Sequence, residues 1–371
     1  DAYYAEGDVE YAGRYLFSGY MTDTPLTYQS DETAAKADFT ITQEFTRENI
    51  ELKTVYTNAY SNDDILNLNV KTDAATGNVI TPNVAGVHRV RIGYTKVSDA
   101  GTFEIKLNDG TTIAAAAVND SNYQPGDDEA AFNAATGEIL LGENVYKQLY
   151  ASDGFSFTYR KDNFAKGDLN PVMYYDCVDN NPDNAGVVYT KKTEDIEYNI
   201  NFSQKLKVNT EANGVFNMYL GRDIDDLITS VNNVIDIEAQ LEKVEGMLKQ
   251  DIYSDKDSQS KLNSIKEGLT KQNELAKEEM KNRFEYCVGT MQGYQEQASL
   301  AKADAGNRMT RLNLTKSRLT EQKTNFTNLK SENEDIDLEE VVVGYSAAQL
   351  VYNASLTAAS KVIQQTLLDF L

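Results

Sequence analysis

Histidine is almost missing from this chain: His88 is the only one in 371 residues. Acid–base catalysis and zinc ligation lean on imidazole, so most of that chemistry has nothing to be built from. Cysteine is nearly as scarce. Cys177 and Cys287 lie far apart, which argues against a disulfide scaffold and against any Cys–His pair of the usual spacing. Tryptophan is absent, and with it a favoured platform for stacking sugars. Basic residues are outnumbered, 35 Lys and Arg against 58 Asp and Glu, for a formal net charge of −23. A chain of that sign repels phosphate, which excludes nucleic acid as a partner and disfavours an anionic membrane face. No apolar run approaches the roughly 18 residues of a membrane span. No glycine-rich phosphate loop and no G-x-S-x-G elbow occurs. The expectation is a protein that is not an enzyme and uses no cofactor and no metal.

Proline and glycine are scarce in one half only. All five prolines (Pro25, Pro82, Pro125, Pro171, Pro182) and 14 of the 22 glycines precede residue 205. Both residues punctuate turns and are costly inside helices, so the split marks a change of architecture. Before it the pattern has period two. Phe39 and Ile41 open a strand ending near Phe45, and Ile50 to Tyr56 forms another. Phe103, Ile105 and Leu107 alternate cleanly, and Asp109-Gly110 signals a hairpin into Thr111–Ile113. Phe155, Phe157 and Tyr159 share one strand face, and Ile196, Tyr198, Ile200 and Phe202 share another. These strands predict an antiparallel all-β domain, whose topology they leave open.

After about residue 215 the period is helical. Ile224, Leu227, Val231 and Val234 step by 3, 4 and 3, and Ile237, Leu241, Val244 and Leu248 continue the face. The segment 251–260 reads as the turn into a second helix. There Phe284, Met291, Ala298, Ala305, Leu312, Leu319 and Phe326 recur every seven residues, the seam of a helix in a coiled coil. The second seam position is weaker: Cys287, Tyr294 and Ala301 fit it, whereas Arg308, Thr315 and Gln322 do not. A helical hairpin within a bundle fits that pattern better than a two-stranded rod. A polar, acidic break at 331–337 precedes a last helix in which Leu350, Ala354, Ile363, Leu367 and Phe370 are among the apolar residues covering more than one face. A terminus that apolar needs a partner. The class expected is α+β: a long C-terminal α-helical coiled-coil or bundle region plus an inserted antiparallel all-β outer domain.

A few residues remain that could carry chemistry. His88 alternates with Val90 and Ile92 and reads as packed on a sheet. Asp176, Asp179 and Asp183 could gather oxygen ligands for calcium, but they fail the EF-hand pattern and read as a solvated loop. Carboxylates are too numerous for any one glycosidase-like pair to stand out. The Asn-x-Ser/Thr matches at Asn201, Asn313, Asn325 and Asn353 read as chance.

Two stretches together resemble a known family. One is Tyr11-Ala-Gly-Arg-Tyr-Leu-Phe-Ser-Gly-Tyr20-Met-Thr-Asp-Thr-Pro25. The other runs from Ala303-Asp-Ala-Gly-Asn-Arg-Met-Thr-Arg-Leu312 through Leu319-Thr-Glu-Gln322 and Ser331-Glu-Asn-Glu-Asp-Ile-Asp337 to Thr366-Leu-Leu-Asp-Phe-Leu371. Both are similar to the flagellin-like hook-associated proteins of the bacterial flagellum, those of the hook–filament junction. The resemblance implies residues 1–19 as the end of an N-terminal helical arm and 20–205 as the outer β domain. It implies 206–335 as a helical rod domain and 336–371 as the C-terminal axial helix. The rest of the family's N-terminal arm is missing ahead of Asp1, which suggests a processed or truncated start. The resemblance further implies export by the flagellar type III pathway, aided by an export chaperone, to an extracellular flagellar location. The partners it implies are the hook-side junction protein, flagellin and copies of the same chain. The assembly interface is expected at Phe284, Met291, Leu312, Leu319, Phe326, Leu350, Ala354, Ile363, Leu367 and Phe370. Two other readings stay open: flagellin, the bulk filament subunit, and a surface protein whose β domain binds a ligand on a helical stalk.

Overall fold

The computed structural model describes residues 2–184, 186–191, 195–335 and 337–368, the last six for their backbone only. The chain has the α+β organisation expected, a large sheet region followed by long helices. Fourteen strands are described: β1 (Glu10–Tyr11), β2 (Arg14–Tyr15), β3 (Phe39–Phe45), β4 (Ile50–Thr57), β5 (Asn83–Arg91), β6 (Phe103–Leu107), β7 (Thr112–Ala117), β8 (Ala130–Asn133), β9 (Glu138–Leu141), β10 (Phe155–Lys161), β11 (Asp176–Asp179), β12 (Val188–Tyr189), β13 (Glu197–Asn201) and β14 (Gln204–Lys207). The helices are α1 (Ala2–Ala5), α2 (Asp31–Ala35), α3 (Asn62–Leu66), α4 (Glu143–Ala151), α5 (Tyr219–Leu248), α6 (Lys256–Glu334) and α7 (Leu338–Leu368). Two compact units result. Residues 1–198 and 207–305 form the first, and residues 199–206 and 306–371 the second.

The first unit is built on a ten-stranded sheet in the order β12-β11-β3-β10-β6-β7-β8-β9-β5-β4. The alternation of β3 explains its place. Phe39, Ile41, Gln43 and Phe45 turn into the core, while Thr40, Thr42 and Glu44 turn out. Gln43 is the polar exception, and it is satisfied: its Nε2 donates to Tyr219 Oη at 2.8 Å and its Oε1 accepts from Gly93 N at 2.9 Å. That pair fixes the start of α5, since a buried amide left unbonded is costly. Every described pairing is antiparallel except that of β7 with β8, which run parallel. A parallel partner demands a crossover rather than a tight turn, and residues 118–129 supply it. Asp109-Gly110 does turn β6 into β7, with Gly110 at φ +90°.

The second core of this unit lies between helices. Val234, Ile237, Val244 and Met247 of α5 bury against Leu262, Ile265, Leu269 and Ala276 of α6, with Tyr60 and Ile65 closing the layer. The acidic turn between the helices is shorter than the sequence suggests: α6 begins at Lys256, so residues 256–260 of the expected turn are already helical. Farther along α6 the residue packed inward is Cys287, only 3% exposed, with Tyr294 and Ala301 partly buried on the same line. The weaker of the two predicted seam positions is therefore the one that packs in this unit, and Phe284 stays half exposed.

The second unit comprises residues 306–334 of α6, α7 and the hairpin residues 199–206. The expected strand from Ile196 to Phe202 stops at Asn201, and Phe202 sits fully exposed in the turn. A two-stranded hairpin has too little area to bury every alternate side chain.

Candidate functional site

Two features depart from what an ordinary soluble monomer shows. The first is a buried ion cluster in the first unit. Val90 of β5 and Ile92 just past its end face the core as the alternation predicts, but so much covers the opposite face that Arg89 and Arg91 are also buried, 2% and 4% exposed. Arg89 is answered from three elements and Arg91 from two. Glu51, opposite Arg89 on β4, accepts from Arg89 Nη2 at 3.1 Å and from Arg91 Nη2 at 2.6 Å. Glu138, opposite Arg91 on β9, closes on Arg89 Nη1, and its other oxygen takes Lys53 Nζ at 2.6 Å and Thr136 Oγ1 at 2.8 Å. From α5, Asp226 meets Arg89 Nη2 at 2.5 Å and Asp223 meets Arg91 Nη1 at 2.7 Å. Tyr294 Oη of α6 donates to Asp223 at 2.7 Å.

Burial by itself would raise the Glu138 carboxyl, but the charges of Arg89 and Lys53 outweigh it and hold the group at about 2. A cleft of about 620 Å³ opens beside the cluster, lined by Lys53, Arg89, Glu138, Arg222, Asp226 and Arg283. Its charges largely answer one another. Arg222 has two buried nitrogens, Nε and Nη1, without a hydrogen-bond partner among the described residues. The arrangement clamps α5 to the sheet and leaves little with which to seize a ligand. The acid dependence follows from the depressed carboxyl. Because the folded pKa lies below the unfolded one, the stabilisation is complete above about pH 4.5 and is lost as pH falls toward 2. A Glu138→Gln chain is expected to lose, near neutral pH, on the order of 3 kcal/mol and to show a flatter decline across that window. Urea titrations at a series of acid pH values check it, and parallel curves for the two chains would refute it.

The second feature is the surface of the second unit. From Gly306 to Val362 every described side chain is exposed except Arg308 and Thr315. Among the expected interface residues, Leu312 is 45% exposed, Leu319 42%, Phe326 70% and Leu350 71%, and Ala354 is exposed with them. Burying one large apolar side chain of this kind contributes about 1.5–3 kcal/mol, so the row is a reservoir of association energy. Phe284 and Met291 belong to the first unit, where Met291 is partly buried. The side chains of Ile363 and Leu367, and Phe370 altogether, lie outside the described residues. Beside Leu312 and Leu319 the hairpin adds Ile200, and the three floor an open groove of about 460 Å³ whose lining includes Lys316 and Lys323. The sequence reading missed those two lysines. Their spacing of seven, matching that of Leu312 and Leu319, was the available signal.

The remaining candidates find ordinary places. His88 stacks on Tyr146 of α4, ring centroids 3.5 Å apart, with Glu143 3.8 Å from its Nε2. Asp176 and Asp179 lie on opposite faces of β11, Asp176 accepting from Lys191 N and Asp179 from Asn181 N. Among the described residues no group of three acidic, histidine or cysteine side chains could hold a metal. Cys177 and Cys287 are both free and buried, and burial pushes the Cys177 thiol up to about 12. Among the described residues no helix is long and apolar enough to cross a membrane. Comparison of the chain with protein-family models, with curated proteins and with solved structures gives no match.

Proposed function

We propose that this chain is a structural subunit of the bacterial flagellum at the hook–filament junction, of the kind called hook-associated protein 3. The observation that carries the assembly part of the reading is the apolar row from Leu312 to Leu350, exposed along two successive helices. Row and sequence resemblance point the same way. In this reading the row buries against neighbouring flagellar axial subunits, namely copies of the chain, flagellin and the hook-side junction protein. The sheet unit faces away from the axis, and the chain performs no catalysis. It is exported by the type III pathway with a chaperone and works outside the cell.

Electron microscopy of cells lacking the gene tests the proposal. Intact hooks with flagellin shed into the medium are the expected result, and normal filaments would refute it. Stoichiometry separates the reading from flagellin, since a junction subunit forms a small share of filament mass and a flagellin most of it.

A further inference from the structure

Charge is distributed unevenly along the second unit. Between residues 306 and 330 lie six basic residues (Arg308, Arg311, Lys316, Arg318, Lys323 and Lys330) and one acidic residue, Glu321. This is a basic band in a chain of net charge −23. Immediately beyond it, residues 332–340 hold six acidic residues and no basic one. Two chains side by side in register would set basic band against basic band and acidic against acidic, which is repulsive.

The groove lies inside the basic band. Its floor is Ile200, Leu312 and Leu319, and Lys316 and Lys323 stand along it. Arg318 reaches the hairpin there, its Nη2 3.5 Å from Gln204 Oε1. Such a groove suits a helix carrying an apolar stripe flanked by carboxylates. The first turns of α7 are that helix: Leu338, Val341 and Val342 are exposed beside Glu339 and Glu340. Neither these two glutamates nor the two lysines make an ion pair among the described residues.

A chain cannot fill its own groove this way. Leu312 lies 22 residues before the end of α6, about 33 Å along the helix. Leu338 follows Glu334 by only four residues, a reach of about 14 Å at most. We infer that the groove receives the acidic first turns of α7 from a second copy of the chain, in a staggered, head-to-tail contact. Contacts of this heterologous kind leave one groove and one α7 unused in every pair, so they propagate to rings or filaments instead of stopping at a dimer. This inference rests on the assembly reading above and specifies its contact and its sensitivity to salt.

Sedimentation velocity on the full 371-residue chain tests it with two exposed charge reversals, K316E/K323E and E339K/E340K. The wild-type chain should self-associate at about 50 mM salt and much less at about 500 mM. Each double variant should associate about tenfold more weakly or worse, with an unchanged circular dichroism spectrum. An equimolar mixture of the two should recover association, because each variant then meets a complementary surface. Variants that associate like the wild type would overturn the contact while leaving the junction reading intact. A wild-type chain that stays monomeric at both salt concentrations would overturn it as well. Failure of the junction reading is seen separately, as filaments still attached in cells lacking the gene.

Discussion

Replacing Arg89 by alanine is expected to lower the stability of the sheet unit by about 3–5 kcal/mol. The guanidinium is 2% exposed and touches Glu51, Glu138 and Asp226 together. Its removal takes one partner from each of three carboxylates and leaves Glu138, only 3% exposed, with Lys53 as its one ion-pair partner among the described residues. The expense comes less from lost attraction than from buried negative charge left under-compensated, three carboxylates then sharing chiefly Lys53 and Arg91. A paired replacement separates the two terms. Arg89→Met with Glu138→Leu removes one deeply buried charge of each sign and is expected to recover much of the loss. Denaturant titration of the three chains checks this. A single variant within about 0.5 kcal/mol of the parent would show that water already relieves the cluster.

Removing the chain from Leu338 onward is expected to do the reverse: little to stability and everything to assembly. All described side chains of α7 through Val362 are exposed, so the sheet unit loses no packing with them. Its calorimetric transition should shift by no more than about 0.5 kcal/mol equivalent. On the junction role proposed above, cells carrying the shortened chain should make hooks but release their filament subunits. Attached filaments in such cells would refute an assembly role for α7. A collapsed calorimetric transition would show instead that α7 supports the sheet unit.

Legibility in the sequence tracked how local the cause was. β3, β6 and β10 were visible because each buries one face, so alternation at Phe39, Phe103 and Phe155 is a complete signal. β8 and β9 are buried on both faces, and Ala130–Asn133 and Glu138–Leu141 therefore show no alternation to read. The ion cluster was hidden for another reason. Arg89 looks outward-facing until its partners are known, and these lie 38, 49 and 137 residues away. On α6 the stripe of seven was real in its spacing, yet near Cys287 the companion stripe took the inward place. Periodicity finds the faces of a helix but does not say which of two faces meets the protein's own core. The groove combined both problems, since Ile200 joins Leu312 and Leu319 from a hairpin more than a hundred residues earlier.

The pairing of β3 with β10 governs the timing of folding. Thr42 and Thr158 meet across 116 residues, and the strands between them are threaded into the same sheet. Bringing such distant ends together costs about 4 kcal/mol of chain entropy before any contact repays it. Strands β4 and β5, and the β6–β7 hairpin at the sheet's centre, can form early, whereas β3 must wait until β10 is available to join it to the rest. A chain emerging end-first from a ribosome or a narrow channel would thus hold its N-terminal third without a finished core. Its folding is slow by construction and is completed late.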